Sequence, residues 1–147
     1  MSDFRRLSDS FSASPQLAKA DFQAARDQGF AMIINNRPDN EEPGQMSSAE
    51  ARAETEAAGL AYESIPMEPG QVTPEMVAKM GACVENAGGP VLAYCRSGTR
   101  STMLWALSQA GSGKMDAEQL SGAAQSAGYD LSPLKPQLEA MSAQAKS

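Results

Sequence analysis

An α/β domain built around a mostly parallel central sheet is the fold class this sequence predicts. Three observations predict it. Short apolar runs, "AMIIN" (31–35), "AYESIPM" (61–67) and "PVLAYC" (90–95), alternate with segments of helical periodicity. Gly29, Gly59 and the Gly88-Gly89 pair stand where the helix before each run has to stop. The 147 residues suffice for one domain with a sizeable core. Consecutive parallel strands need helical crossovers of this kind to pair.

Taken in order, the opening "FRRLSDSFSASP" adds one or two edge strands. "ADFQAARDQGF" (20–30) spaces its apolar residues as a helix, and "AMIIN" follows as a buried strand rich in β-branched residues. "NRPDNEEPGQ" (36–45) is dense in turn and breaker residues and predicts a loop. "SSAEARAETEAAGL" (47–60) carries Glu50 three positions after Ser47, a capping box, so a helix starts there. The strand over 61–67 is followed by the loop "EPGQV" and then by Thr73-Pro74, an N-cap with proline at the first helical position. A helix over 75–87, a strand over 90–95 and a helix over 99–111 complete the alternation. "DAEQLSGAAQSAGY" and "PLKPQLEAMSAQ" are further helices. The expected organisation is one domain over 1–147, its core about 4–134, with a helical C-terminal extension over 115–147.

Composition narrows the function. A net charge of −6 argues against a large nucleic-acid surface, which needs a basic stripe, and leaves room for a small basic pocket. No stretch approaches the roughly 18 apolar residues of a membrane helix, and "MSDFRRLSDSF" lacks the apolar segment of a secretory signal, so a cytoplasmic protein binding neither nucleic acid nor membrane is expected. Histidine is absent, which removes Ser-His-Asp and Cys-His pairs. With two cysteines, Cys83 and Cys95, an ordinary zinc site lacks ligands, and neither a metal nor a cofactor is expected.

The chemistry concentrates in "YCRSGTRST" (94–102). A thiol, whose ordinary pKa is about 8.5, becomes a nucleophile by losing its proton. Cys95 lies between a strand and a helix, where backbone N–H groups from Arg96 to Arg100 and the positive end of the helix dipole can favour the thiolate. Arg100 adds a permanent charge, the Ser101 hydroxyl can donate to the thiolate, and Gly98 allows the backbone angles of an anion-binding nest. Cys95, Arg100 and Ser101 are therefore the expected catalytic residues. Arg96, Ser97, Gly98 and Thr99 are expected to bind substrate, joined by Asn36 and Arg37 because strand ends of a parallel sheet face the ligand. Asparagines there, Asn35 included, could equally satisfy loop backbone groups. Cys83 shares a helical face with Met76, Met80 and Val84 and is expected in the core, as are Leu104 and Trp105. The bland alternatives for Cys95 are a core cysteine or part of a non-enzymatic module that binds an anion or persulfide.

"CRSGTRS" resembles the active-site loop of bacterial rhodaneses, and also the phosphate loop of tyrosine and dual-specificity phosphatases. Arg100 follows Cys95 after four residues rather than the five of the phosphatases, and Tyr94 stands where they carry histidine. "GFAMIINNRPDNEEPGQ", "GLAYESIPMEPGQVT", "GPVLAYCRSGTRS" and "AGYDLSPLKP" together are similar to the N-terminal domain of beta-lactamase-hydrolase-like proteins, from about Phe4 to Leu134. That resemblance implies a dual-specificity-phosphatase scaffold, a link to sulfide and persulfide metabolism, and sulfurtransferase activity.

Two reactions are therefore expected. The first is sulfur transfer from thiosulfate or a small persulfide through a Cys95 persulfide to a thiol acceptor, with a persulfide dioxygenase as a possible partner. A sulfane sulfur needs a smaller cradle than a phosphoryl group, and no general acid. The alternative is hydrolysis of a phosphoester, which needs an acid for the leaving group. Asp39 and Glu68 are the candidates, with Glu41 and Glu42 behind them.

Overall fold

The structure is a computed structural model and describes residues 2–146. Five strands form one sheet: β1 (Arg5–Ser8), β2 (Phe11–Ser14), β3 (Met32–Asn35), β4 (Ala61–Ser64) and β5 (Val91–Tyr94). Their order is β1-β2-β5-β3-β4. Only the β1–β2 edge hairpin is antiparallel, and the other pairings are parallel. The helices are α1 (Lys19–Asp27), α2 (Ser48–Ala57), α3 (Pro74–Asn86), α4 (Thr99–Gly111), α5 (Ala117–Ser126) and α6 (Lys135–Lys146). The expected α/β class and its parallel sheet are thus observed.

Local chemistry explains the boundaries. Ser47 Oγ accepts from Glu50 N at 3.1 Å while the Glu50 carboxylate accepts from Ser47 N, so α2 starts on a closed capping box. Thr73 Oγ1 caps α3 through Met76 N. β4 ends at Ser64 rather than running to Met67. Pro66 has no N–H to give, so the ladder continues only as isolated bonds, Ile65 N to Asn35 O and Met67 N to Asn36 O.

Alternating side chains along β3 and β5 divide the core. Ile34 and Ala93 face one side, with Trp105 and Leu107 of α4, Met80 of α3, Leu120 of α5 and Leu138 of α6. Ile33 and Leu92 face the other, against Phe22 and Ala25 of α1, Ala51 of α2 and Tyr62 of β4. Helix α4 is buried almost all round, and its Trp105 ring stacks on Phe11 with centroids 5.8 Å apart. Cys83 packs half-buried at the edge of this core, and burial pushes its thiol pKa up.

Register then sets the site. Ser14, Asn35, Ser64 and Tyr94 are the last residues of four neighbouring parallel strands, and they pair in one row. The residues that follow, Pro15, Asn36, Ile65 and Cys95, therefore leave the sheet side by side at its carboxyl edge.

Candidate active site

Cys95 is fully buried at the end of β5, and the turn 95–98 leads into α4. The sulfur accepts one hydrogen bond from the loop, from Gly98 N at 3.0 Å. Gly98 is the N-cap of α4 and has φ +97°, a left-handed conformation that favours glycine. Space enforces the same choice. A Cβ at this position would overlap the Tyr129 hydroxyl, come within 2.8 Å of Tyr129 Cζ and lie 3.2 Å from Ser14 O. Gly98→Ala is expected to destabilise the domain by about 1–3 kcal/mol and to slow alkylation of Cys95. Thermal melting and timed iodoacetamide labelling check this, and a variant matching the parent in both would refute the tight fit.

The Arg100 side chain comes from the first turn of α4 and is buried. Its Nη1 donates to Glu41 Oε2 and to Met67 O, and its Nη2 to Glu41 Oε1, each at 2.8 Å. Loops after β3, β4 and β5 meet at this one guanidinium, the convergence expected for the carboxyl edge. The bond to Glu41 raises the arginine's pKa against the opposing cost of burial, and the charge of the nearby Cys95 sulfur adds to the rise. In the other direction, Arg100 first and Arg37 second hold the Glu41 carboxyl below its ordinary range. Glu41 is thus a central residue of the rim, although the sequence ranks it behind Asp39 and Glu68. The signal that could have raised it is its position on the loop that leaves the end of β3 at the sheet's carboxyl edge.

Several expectations need correction. Ser101 does not donate to the sulfur: its hydroxyl donates to Asn36 Oδ1 at 2.7 Å, deep in the core. Asn36 is fully buried and its Nδ2 donates to Ile65 O, so it ties β3 to β4 and α4 instead of facing a ligand. Arg37 is buried as well. Its donors go to Glu41, Glu42 and Gln16, where burial opposes the charge and the two carboxylates outweigh it. Asn35 accepts from Arg37 N and donates to the Tyr62 hydroxyl, a backbone-satisfying role.

The loop's other members remain at the surface. Arg96 is exposed, and its side chain makes no hydrogen bond or ion pair among the described residues. Its carbonyl accepts from Gln16 N, which pins the main chain and leaves the guanidinium available. Ser97 is exposed too, donating to Thr99 Oγ1 and accepting from Thr99 N. Asp39 is exposed and accepts from Ser48 N at the start of α2, and Glu68 is exposed just beyond Met67. The Tyr94 hydroxyl is buried without a hydrogen-bond partner among the described residues, and burial pushes its pKa up.

Chemically, the arrangement offers a sulfur under a backbone donor at a helix N-terminus, one engaged arginine and one open arginine. A cleft of about 460 Å³ between α3, α4 and α6 shares no residue with this loop. Among the described residues no helix is long and apolar enough to cross a membrane.

The buried cysteine between a central parallel strand and a helix, followed by an arginine in that helix, sits in a fold shared with protein tyrosine phosphatase-like structures. The chain belongs to the family described as the phosphatase-like domain of beta-lactamase hydrolase-like protein, whose profile matches residues 3–112. It is 33% identical to the beta-lactamase hydrolase-like protein of Agrobacterium fabrum over 94% of this chain and 32% of that one, so it spans about a third of that relative's length. The crystal structure of a candidate phosphatase from Neisseria meningitidis superposes with a TM-score of 0.84 at 32% identity, covering 96% of this chain and 99% of that chain. Pseudomonas aeruginosa TpbA, in complex with phosphotyrosine, has a TM-score of 0.65 over 96% and 90% of the two chains. At 15% identity that likeness concerns the fold.

Proposed function

We propose that this domain is a cysteine-dependent phosphomonoesterase. The observation that carries the reading is the Cys95 sulfur, held by Gly98 N–H under the N-terminus of α4 at the edge where three strand-end loops meet. Membership of a phosphatase-like family supports it over the sulfur transfer first expected from the loop length. In the first step the Cys95 thiolate attacks phosphorus, the ester P–O bond breaks, and the leaving oxygen takes a proton. Water then attacks the phosphocysteine, releasing inorganic phosphate and restoring the thiolate. Arg96 guides the incoming anion, and the α4 N-terminus offsets the charge that builds on the phosphoryl oxygens. Of the two candidate acids we assign Glu68. It follows Met67, whose carbonyl accepts from Arg100, whereas Asp39 is tied to the start of α2.

One observation favours sulfur transfer as a second reading. Glu41 takes one N–H from each terminal nitrogen of Arg100 and Met67 O takes a third, which leaves only the Nε side of the guanidinium to grip a phosphoryl group. The two readings separate in one preparation. An aryl phosphate should release phosphate, with competitive inhibition by vanadate, while thiosulfate and cyanide give no thiocyanate above background. Thiocyanate formation without phosphate release would overturn the proposal in favour of sulfur transfer.

A further inference from the structure

Tyr129 lies beyond the residues matched by the family profile, in the segment between α5 and α6. Its hydroxyl donates to Ser97 O at 3.0 Å. The Ser97 carbonyl and the Gly98 N–H belong to one peptide unit, and in a trans peptide they lie in one plane and point in opposite directions. Tyr129 therefore grips one edge of the peptide unit whose opposite edge donates to Cys95 Sγ at 3.0 Å. This matters because of the glycine. A residue free to take either sign of φ lets the preceding peptide turn over at little cost. In the inverted orientation a carbonyl oxygen would face the sulfur and repel its anionic form.

We infer that Tyr129 is a positioning residue for the nucleophile: by holding the Ser97 carbonyl it keeps the Gly98 N–H aimed at Cys95. The inference rests on Cys95 being the reactive group, whichever anion it attacks. Tyr129 is itself well held. Its N–H closes the end of α5 on Ala124 O at 2.8 Å, and the Arg5 guanidinium of β1 lies 5.0 Å from its ring centroid. It is almost fully buried, and that burial, above all, keeps its hydroxyl protonated and donating across the neutral range. The charged groups around the pair are Arg5 with its partner Asp3 on the tyrosine side, and Arg100 with Glu41 on the sulfur side. All four keep their charges between pH 5 and pH 9 by their ordinary ranges.

The test is the pH profile of Cys95 alkylation by iodoacetamide, read by mass spectrometry in a Cys83→Ser background, with and without Tyr129→Phe. The loss of one oriented donor is expected to move the profile to higher pH and to slow labelling about three- to tenfold on its acidic limb. The alkaline plateau should be unchanged. A purely packing role would lower the melting temperature and leave the profile where it was, and that result overturns the inference. A measurement on the parent protein serves if the variant folds poorly. The Gly98 amide proton resonance should follow the titration of Cys95, and an amide that ignores it also overturns the inference. The proposed function fails separately: if the parent hydrolyses no aryl phosphate while the profile shifts with Tyr129→Phe, the phosphatase reading falls and the positioning role stands.

Discussion

Cys95→Ser is expected to lower the turnover of an aryl phosphate by about a thousandfold or more, with the fold intact. The reasoning is one of ionisation. An alcohol gives up its proton about as reluctantly as water, far less readily than a thiol, and the chain has no histidine to remove it. One backbone N–H and a helix terminus can assist a thiol, but they cannot bridge that gap for a hydroxyl. A thousandfold loss corresponds to about 4 kcal/mol of transition-state stabilisation. The substitution removes little volume from a fully buried site, and the serine oxygen can still accept from Gly98 N. Melting within a few degrees of the parent is therefore expected, and phosphate release should be measured alongside it. Residual turnover within tenfold of the parent would mean that Cys95 is not the nucleophile and that another group carries the hydrolysis.

The parts of this molecule that were legible in the sequence are those written in local patterns. The three strand–helix repeats follow from apolar periodicity and their glycine stops. The starts of α2 and α3 follow from Ser47-Glu50 and Thr73-Pro74, because caps act within one helical turn. Cys95, Gly98 and Arg100 could be picked out because a nest is a contiguous device. What escaped depends on long-range pairing. Glu41 meets Arg100 from 59 residues away, Ser101 meets Asn36 from 65 and Tyr129 meets Ser97 from 32. Nothing in a single sequence says which carboxylate an arginine will find. Chain proximity therefore points Ser101 at the sulfur of its own loop, and the strand end points Asn36 and Arg37 at a ligand. Their strand end was placed correctly, but the direction of each side chain depends on which polar groups the fold buries around it. The same limit applies to Arg100, whose terminal nitrogens are held by a glutamate that no motif mentions.

Glu41→Ala should destabilise the domain by about 3 kcal/mol, lowering the melting temperature by roughly 6–12 °C. Glu41 serves two arginines at once: both terminal nitrogens of Arg100, and Arg37 Nε at 2.8 Å. Arg37 has a side chain only 1% exposed, and that of Arg100 is 11% exposed. Removing the carboxylate leaves Arg100 with the neutral Met67 carbonyl and Arg37 with Glu42 and Gln16. The dominant cost is that of buried guanidinium charge without its counter-ion. The partial exposure of Glu41 and Arg100 admits some water, which keeps the expected loss at the lower end of the range for broken buried pairs. The same pairing makes a prediction for pH. Because the arginines depress the Glu41 pKa in the folded state, its contribution is complete above the unfolded carboxyl value of about 4.3 and is lost as pH falls through the lower folded value. Urea unfolding between pH 2 and pH 7 should show the parent losing stability across that acid window, with Glu41→Ala losing less over the same range. A variant as stable as the parent at pH 7, or one with the same acid slope, would mean that solvent already carries the charge of both arginines and that Glu41 holds the rim by shape alone.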